Sequence, residues 1–271
     1  MKAISFEISG KTAIFKKPDV NSYAYFTYNN IHKPALLGIL GAIIGLDGYT
    51  KLYDENRKAK EEKSGYNDGF PDYYEKLKDL KVSIIPMTDK EPNTGYFSKK
   101  IQTFNNSVGY ANGMVSGISE KALQERRDSS NLVIREQWLE NPKWQIILLE
   151  NETEEYKRIK EYLLNKKAVY IPYLGKNDHF ANIDKVQEII LDKNLYLEEG
   201  LYIDSLFIKN GKIDGYEKEG ELPFIFQEVS PVSLQKDFHF YEYETLCFTN
   251  CELGKKPENC FSFGNKNFVF I

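Results

Sequence analysis

Cysteine and histidine are scarce in this chain, three of each among 271 residues. Cys247, Cys251 and Cys260 are odd in number and sit near the C-terminal end, which excludes a disulfide-stapled scaffold and fits reduced intracellular thiols. Cys247 and Cys251 have a permissible zinc spacing, with Cys260 and His239 as further ligands. Yet residues 238–248 read as a strand, where cysteine serves as a small buried apolar group, so no metal or other cofactor is expected. Long apolar runs are missing too. None approaches the ~18 residues of a membrane helix, and Met1 to Glu7 alternates instead of forming a signal-peptide core. These absences predict a cytoplasmic protein without membrane contact. Walker-type and dinucleotide-binding glycine patterns are missing, as is a G-x-S-x-G elbow. The 40 carboxylates are scattered, and no spacing singles out a catalytic pair.

What the chain does have is apolar and aromatic mass. Hydrophobic residues make up 41% and aromatics 14%, enough for a sizeable core and more than disordered chains carry. Its 19 Tyr and 17 Phe suit strands and interfaces, and the same rings can stack on unpaired bases. A net charge of −4 argues against non-specific coating of nucleic acid. The distribution is uneven, however. From Phe97 to Arg135 six basic residues face three acidic ones, whereas from Asp184 to Glu228 eleven acidic residues outnumber five basic. The first stretch is the nucleic-acid candidate.

Residues 32–46 read as a helix apolar on every side. Pro34 suits its first turn, and Gly38, Gly41 and Gly45 each cost about 1 kcal/mol in a helix interior, which another backbone coming close would repay. One reading is a tightly packed core helix. The other adds a phosphate site at the helix mouth, where Asn29, Asn30, His32 and Lys33 join free N–H groups and the positive dipole end.

Along the chain, Ile4, Phe6 and Ile8 alternate as a half-buried strand. Residues 51–79 look like an exposed excursion, 81–87 like a strand, and 91–130 like a long polar segment of functional character. A hairpin is expected from Leu132–Leu139 and Trp144–Leu149, then a helix opened by Asn151 and Glu154 in a capping-box pattern, then a strand over Ala168–Ile171. This order of strand, helix, strand pair, helix, strand is ferredoxin-like, shared with RNA-recognition domains whose open sheet face stacks bases. The fold class is therefore α+β, with residues 1–183 as the first domain and 184–271 as a smaller β-rich region. That region holds strands at 201–208, 222–226, 238–248 and 268–271 and an Asn210-Gly211 turn.

Lys99, Lys100, Gln102, Thr103, Phe104, Asn105 and Asn106 interleave cations, an aromatic ring and amides, the groups that hold phosphate, stack on bases and read base edges. An exposed β-ribbon would look the same. Arg126, Arg127 and Arg135 extend the pattern.

Gly10, Phe15 and Pro18, followed by the proline-led Gly-Ile-Leu-Gly-Ala-Ile-Ile-Gly-Leu helix, resemble the N-terminal signature of the fifth CRISPR-associated protein family. Arg135 to Pro142 and Tyr173 to Phe180 fit the same family, and the Leu-Gly-Lys-Asn-x-x-Phe form is most similar to type I-B members. The resemblance runs from Met1 to about Asn182 and fades afterwards. It implies a Cascade subunit that caps the 5′ handle of the CRISPR RNA through a ferredoxin-like domain with a protruding thumb. Implied partners in that hetero-oligomeric complex are repeated backbone subunits, the large subunit and target DNA. Type I-C members of the family cleave precursor RNA with Tyr, Lys and His. Here Tyr28, His32 and Lys33 supply those types at a different place in the chain, and a non-catalytic role is expected.

Overall fold

Strand β1 (Lys2–Ser9) forms where Ile4, Phe6 and Ile8 alternate, and the chain then runs through β2 (Thr12–Ala13) and β3 (Ala24–Tyr25) into helix α1 (Lys33–Ile44). This computed structural model describes residues 1–20, 22–106, 132–193, 201–209, 222–254 and 256–271. Helices α2 (Tyr49–Glu61) and α3 (Asp72–Leu77) lead to β4 (Val82–Pro86), β5 (Lys99–Asn106) and β6 (Leu132–Glu140). After these come β7 (Lys143–Leu149), α4 (Glu154–Leu164) and β8 (Asn182–Ile190). The remainder is β9 (Phe207–Ile208), β10 (Ile225–Leu234), β11 (Tyr241–Thr249), β12 (Cys260–Phe263) and β13 (Lys266–Val269). The architecture is mixed α+β. Among the described residues no single helix is long and apolar enough to cross a membrane.

The main sheet has the order β4-β7-β1-β8, with every neighbouring pair antiparallel. Ile4, Phe6 and Ile8 point from β1 into a core shared with α1 and with Tyr156, Ile159 and Leu163 of α4. β1 is not half-buried as expected. Ala3 on its other face packs with Ile147, Ile189, Phe261, Phe268 and Phe270, so the β12–β13 hairpin covers part of the face that RNA-recognition domains leave open.

α1 is apolar all round and buried, as its sequence implies. A Cβ on Gly41 would lie 2.7 Å from Cβ of Tyr73, so the close approach is made by α3. Gly45 is the left-handed C-cap. The stretch Ala168–Ile171 is not a strand. Val169 and Tyr170 donate their N–H groups to the last carbonyls of α1, at Ile43 and Ala42, and Arg158 reaches the carbonyl of Ile44. The fourth sheet position goes to β8.

Three further expectations are corrected by tertiary contacts. β6 and β7 do not form a hairpin. The chain turns at Asn141, with positive φ, and β6 joins β2, β3 and β5 in a second sheet. The boundary at 183/184 falls inside β8, and Leu206, Leu234, Leu246 and Phe248 lie in the same core as β1 and α1. Part of the 51–79 excursion is core as well, because Tyr74 and Leu77 of α3 are buried. The N-cap of α4 is Thr153, which accepts from the N–H of Tyr156 while Asn151 accepts from Thr153. In the C-terminal part β10, β11 and β9 form a sheet. The strand expected over 201–208 contracts to β9, and the Asn210-Gly211 turn lies outside the described residues.

Candidate nucleic-acid interface

At the mouth of α1 the chain folds over itself. Asn29, Asn30 and His32 are only 1–3% exposed. His32 is the N-cap, its Nδ1 accepting the Ala35 N–H at 3.2 Å, and its ring meets Phe15, Tyr28 and Tyr241 edge-to-face. Asn30 Oδ1 accepts from the indole N–H of Trp144 at 3.0 Å, and both Asn29 and Asn30 donate their amides to the carbonyl of Gly95. The Asn29 N–H donates to the Glu228 carboxylate at 2.8 Å, and Glu228 is itself paired with Lys17 at 3.1 Å. Lys33 ends on the carbonyl of Ile271 at 3.2 Å. Burial pushes the His32 pKa down to about 3 and raises that of Tyr28. The expectation of a phosphate site here is therefore corrected: the polar groups of Asn29, Asn30, His32 and Lys33 are turned into protein, and a carboxylate from β10 comes to the mouth in place of an external anion.

The β5–β6 ribbon is built differently. Antiparallel register sets Lys100 opposite Trp138, Gln102 opposite Glu136 and Phe104 opposite Ile134. Directly opposed residues share a face, and alternate residues take opposite faces. Lys100, Gln102 and Phe104 therefore stand on one side with Trp138 and Glu136. Lys99, Ile101 and Thr103 stand on the other with Leu139, Gln137 and Arg135. What reads in sequence as one continuous contact strip is split in two. Lys99 lies beside the Tyr96 ring opposite the buried Leu139, and burial lowers its pKa. Thr103 and Arg135 are exposed. Asn105 and Asn106 continue the register opposite Val133 and Leu132, and Arg126 and Arg127 lie outside the described residues, as does most of the expected thumb.

The Lys100 face meets the Tyr173–Phe180 loop. Trp138 lies 5.7 Å from Phe104, with the rings tilted by 49°, and 4.6 Å from His179 in a perpendicular pair. The Trp138 indole N–H donates to Glu136 at 2.9 Å, and Lys176 pairs with the same carboxylate at 3.1 Å. Lys100 sits over the Trp138 ring at 5.7 Å and Lys176 over Phe104 at 5.3 Å. His179 is 2% exposed, bonded through Nδ1 to Thr12 Oγ1 at 2.6 Å, and burial lowers its pKa. The loop demands its glycine: with φ +86°, a Cβ on Gly175 would collide with the carbonyl of Ile14 at 1.8 Å.

Sequence reasoning did not assign Glu136, Trp138, Lys176 or His179 to a binding site. The period of two in Glu136 and Trp138, set against the same period in Lys100, Gln102 and Phe104, was the available signal. No cluster of His, Cys, Asp and Glu among the described residues could hold a metal, and Cys247, Cys251 and Cys260 are buried. A groove of about 810 Å³ beside α2 is lined by Tyr53, Tyr66 and Phe238, but there Arg57 and Lys60 are balanced by Asp68 and Asp237.

No protein-family model and no curated protein matches the chain. Solved structures do. A chain of a CRISPR RNA-guided surveillance complex superposes with a TM-score of 0.50 at 13% identity, over 93% of this chain and 90% of that one. A CRISPR protein from Archaeoglobus fulgidus gives 0.45 at 10% identity, over 99% and 98% of the two chains. A third structure, described as a Cas protein, gives 0.39 at 11% identity over 93% and 94%. At 13% identity the likeness to the surveillance-complex chain is one of fold.

Proposed function

We propose that this chain is a non-catalytic, RNA-binding subunit of a type I-B CRISPR surveillance complex, holding the 5′ handle of the CRISPR RNA. One observation carries the reading. A surface ribbon presents Lys100, Gln102, Phe104 and Trp138 on one face, which brings together a cation, an amide and two half-exposed rings. Unpaired RNA is bound by such a combination. Support comes from the likeness in fold to a surveillance-complex chain and from the motifs at 10–46, 135–142 and 173–180. The β4-β7-β1-β8 order, with α1 and α4 packed into the core beside β1, supports a ferredoxin-like first domain, and the β5–β6 ribbon supports a thumb.

The rival reading is a metal-independent endoribonuclease using Tyr28, His32 and Lys33. Such cleavage needs a base that reaches the 2′-OH. His32 is buried, occupied as a helix cap and resistant to protonation down to about pH 3, which disfavours it. The full chain incubated with repeat RNA in EDTA should bind the handle and leave the strand whole. Specific cuts abolished by His32→Ala would establish the enzyme instead. No handle binding, even within the assembled complex, would leave a scaffold that contacts protein only.

A further inference from the structure

We propose that Trp138 is a stacking platform for one unpaired nucleobase, and that Lys100 leaves the indole face for the adjoining phosphate as the base arrives. The inference rests on the RNA-binding reading and locates the grip of the strand on a single ring.

Among the described residues Trp138 contributes to none of the hydrophobic clusters, whereas the other tryptophan, Trp144, is wholly buried in the main one. Its orientation is nonetheless fixed from several directions. The indole N–H is held by Glu136, a carboxylate only 6% exposed, and Glu136 is clasped by Lys176. The perpendicular ring of His179 presses against the indole and is anchored by Thr12. His179 Nε2 is buried with no hydrogen-bond partner. Burying a carboxylate and an unsatisfied imidazole nitrogen is costly, and here both are placed around a half-exposed ring that the core does not use. A rigid aromatic plane is what stacking requires, since a base gains little from a ring it must first immobilise.

Lys100 supplies the movable part. Among the described residues it has no acidic partner within ion-pair distance, and its ammonium rests on the indole. An exposed cation–π contact is worth less than base–aromatic stacking, so a base displaces the ammonium at a net gain. The freed charge is then one flexible side chain away from the strand. Phe104 does not offer a second platform, because Lys176 over its ring is tethered by Glu136 and Asp178. The site takes one base.

The test uses the full-length chain with two single-stranded RNA octamers, one of adenosines and one abasic at every position. Intrinsic tryptophan emission should be quenched by the adenosine strand and not by the abasic one, and with Trp144 buried the change reports Trp138. Trp138→Ala should weaken binding of the adenosine strand by roughly 5- to 150-fold and leave the abasic strand unaffected. Trp138→Phe, which keeps a ring, should retain most of the affinity. Lys100→Ala should shallow the salt dependence for the adenosine strand and less so for the abasic one. Adenosine-strand binding that is unquenched, or equal in wild type, Trp138→Ala and Trp138→Phe, overturns the platform and leaves the subunit reading standing. Failure of the wild-type chain to bind either strand overturns the platform, and if the assembled complex also fails to hold the handle the subunit reading falls with it.

Discussion

At the mouth of α1, Asn29 and Asn30 point inward and give their amide hydrogens to Gly95, and the lysine beside them ends on the carbonyl of Ile271. On the β5–β6 ribbon, Lys100, Gln102 and Phe104 stand at the surface around a tryptophan oriented by Glu136 and His179. The two regions contain the same kinds of side chain: amides, cations and rings. They differ in the amount of protein laid over them. The mouth is roofed by Gly95 and Glu228, so its polar groups stabilise the fold. The ribbon lies outside the main sheet, and its Lys100 and Gln102 stay at the surface, held among the described residues only by the Trp138 ring and the neighbouring Thr103 carbonyl.

If that contrast is right, changes at the mouth should alter stability and changes on the ribbon should alter binding. Trp144→Ala should give the largest effect, about 3–5 kcal/mol lost in urea unfolding, because it opens a cavity and leaves Asn30 Oδ1 without its donor. A loss below about 1 kcal/mol would mean the mouth is not packed as described. His32 should make stability depend on pH. Its folded pKa of about 3 lies below its ordinary 6.5, so between those values the unfolded chain binds a proton that the folded chain refuses. Stability therefore falls as pH drops from about 6.5 towards 3, by about 2 kcal/mol at pH 5. His32→Asn keeps a capping side chain and should flatten this part of the wild-type curve; parallel curves would refute the assignment. The smallest effect separates the two faces of the ribbon. Lys100→Ala should reduce the salt slope of RNA binding by about 1 and Lys99→Ala by much less, with stability within about 0.5 kcal/mol of wild type in both. Equal effects would mean that the strand straddles both faces.

Much of the architecture was readable from local pattern. The period of two in Ile4, Phe6 and Ile8 gave β1, and the all-apolar run from Pro34 to its glycine stop gave α1. The candidate site was readable only in part. Lys100, Gln102 and Phe104 were picked out by composition, whereas Trp138 was quoted only as part of a family motif, and its supports join Glu136 on the same strand with Lys176 and His179 from a loop far along the chain. Asn29, Asn30, His32 and Lys33 were misread for a related reason. A polar run at a helix start looks alike whether water or a carboxylate 199 residues away satisfies it.

By itself, the sequence determined local elements such as β1, α1 and α4, because hydrophobic period and capping residues act over a few residues. It also shows no Walker-type or dinucleotide-binding glycine pattern. Tertiary structure alone decided that β6 leaves β7 for a second sheet, that β8 rather than 168–171 closes the first, and that Glu228 and Gly95 roof the helix mouth. Those outcomes depend on which distant groups meet, and burial and hydrogen-bond satisfaction are set by such meetings rather than by neighbours in the chain.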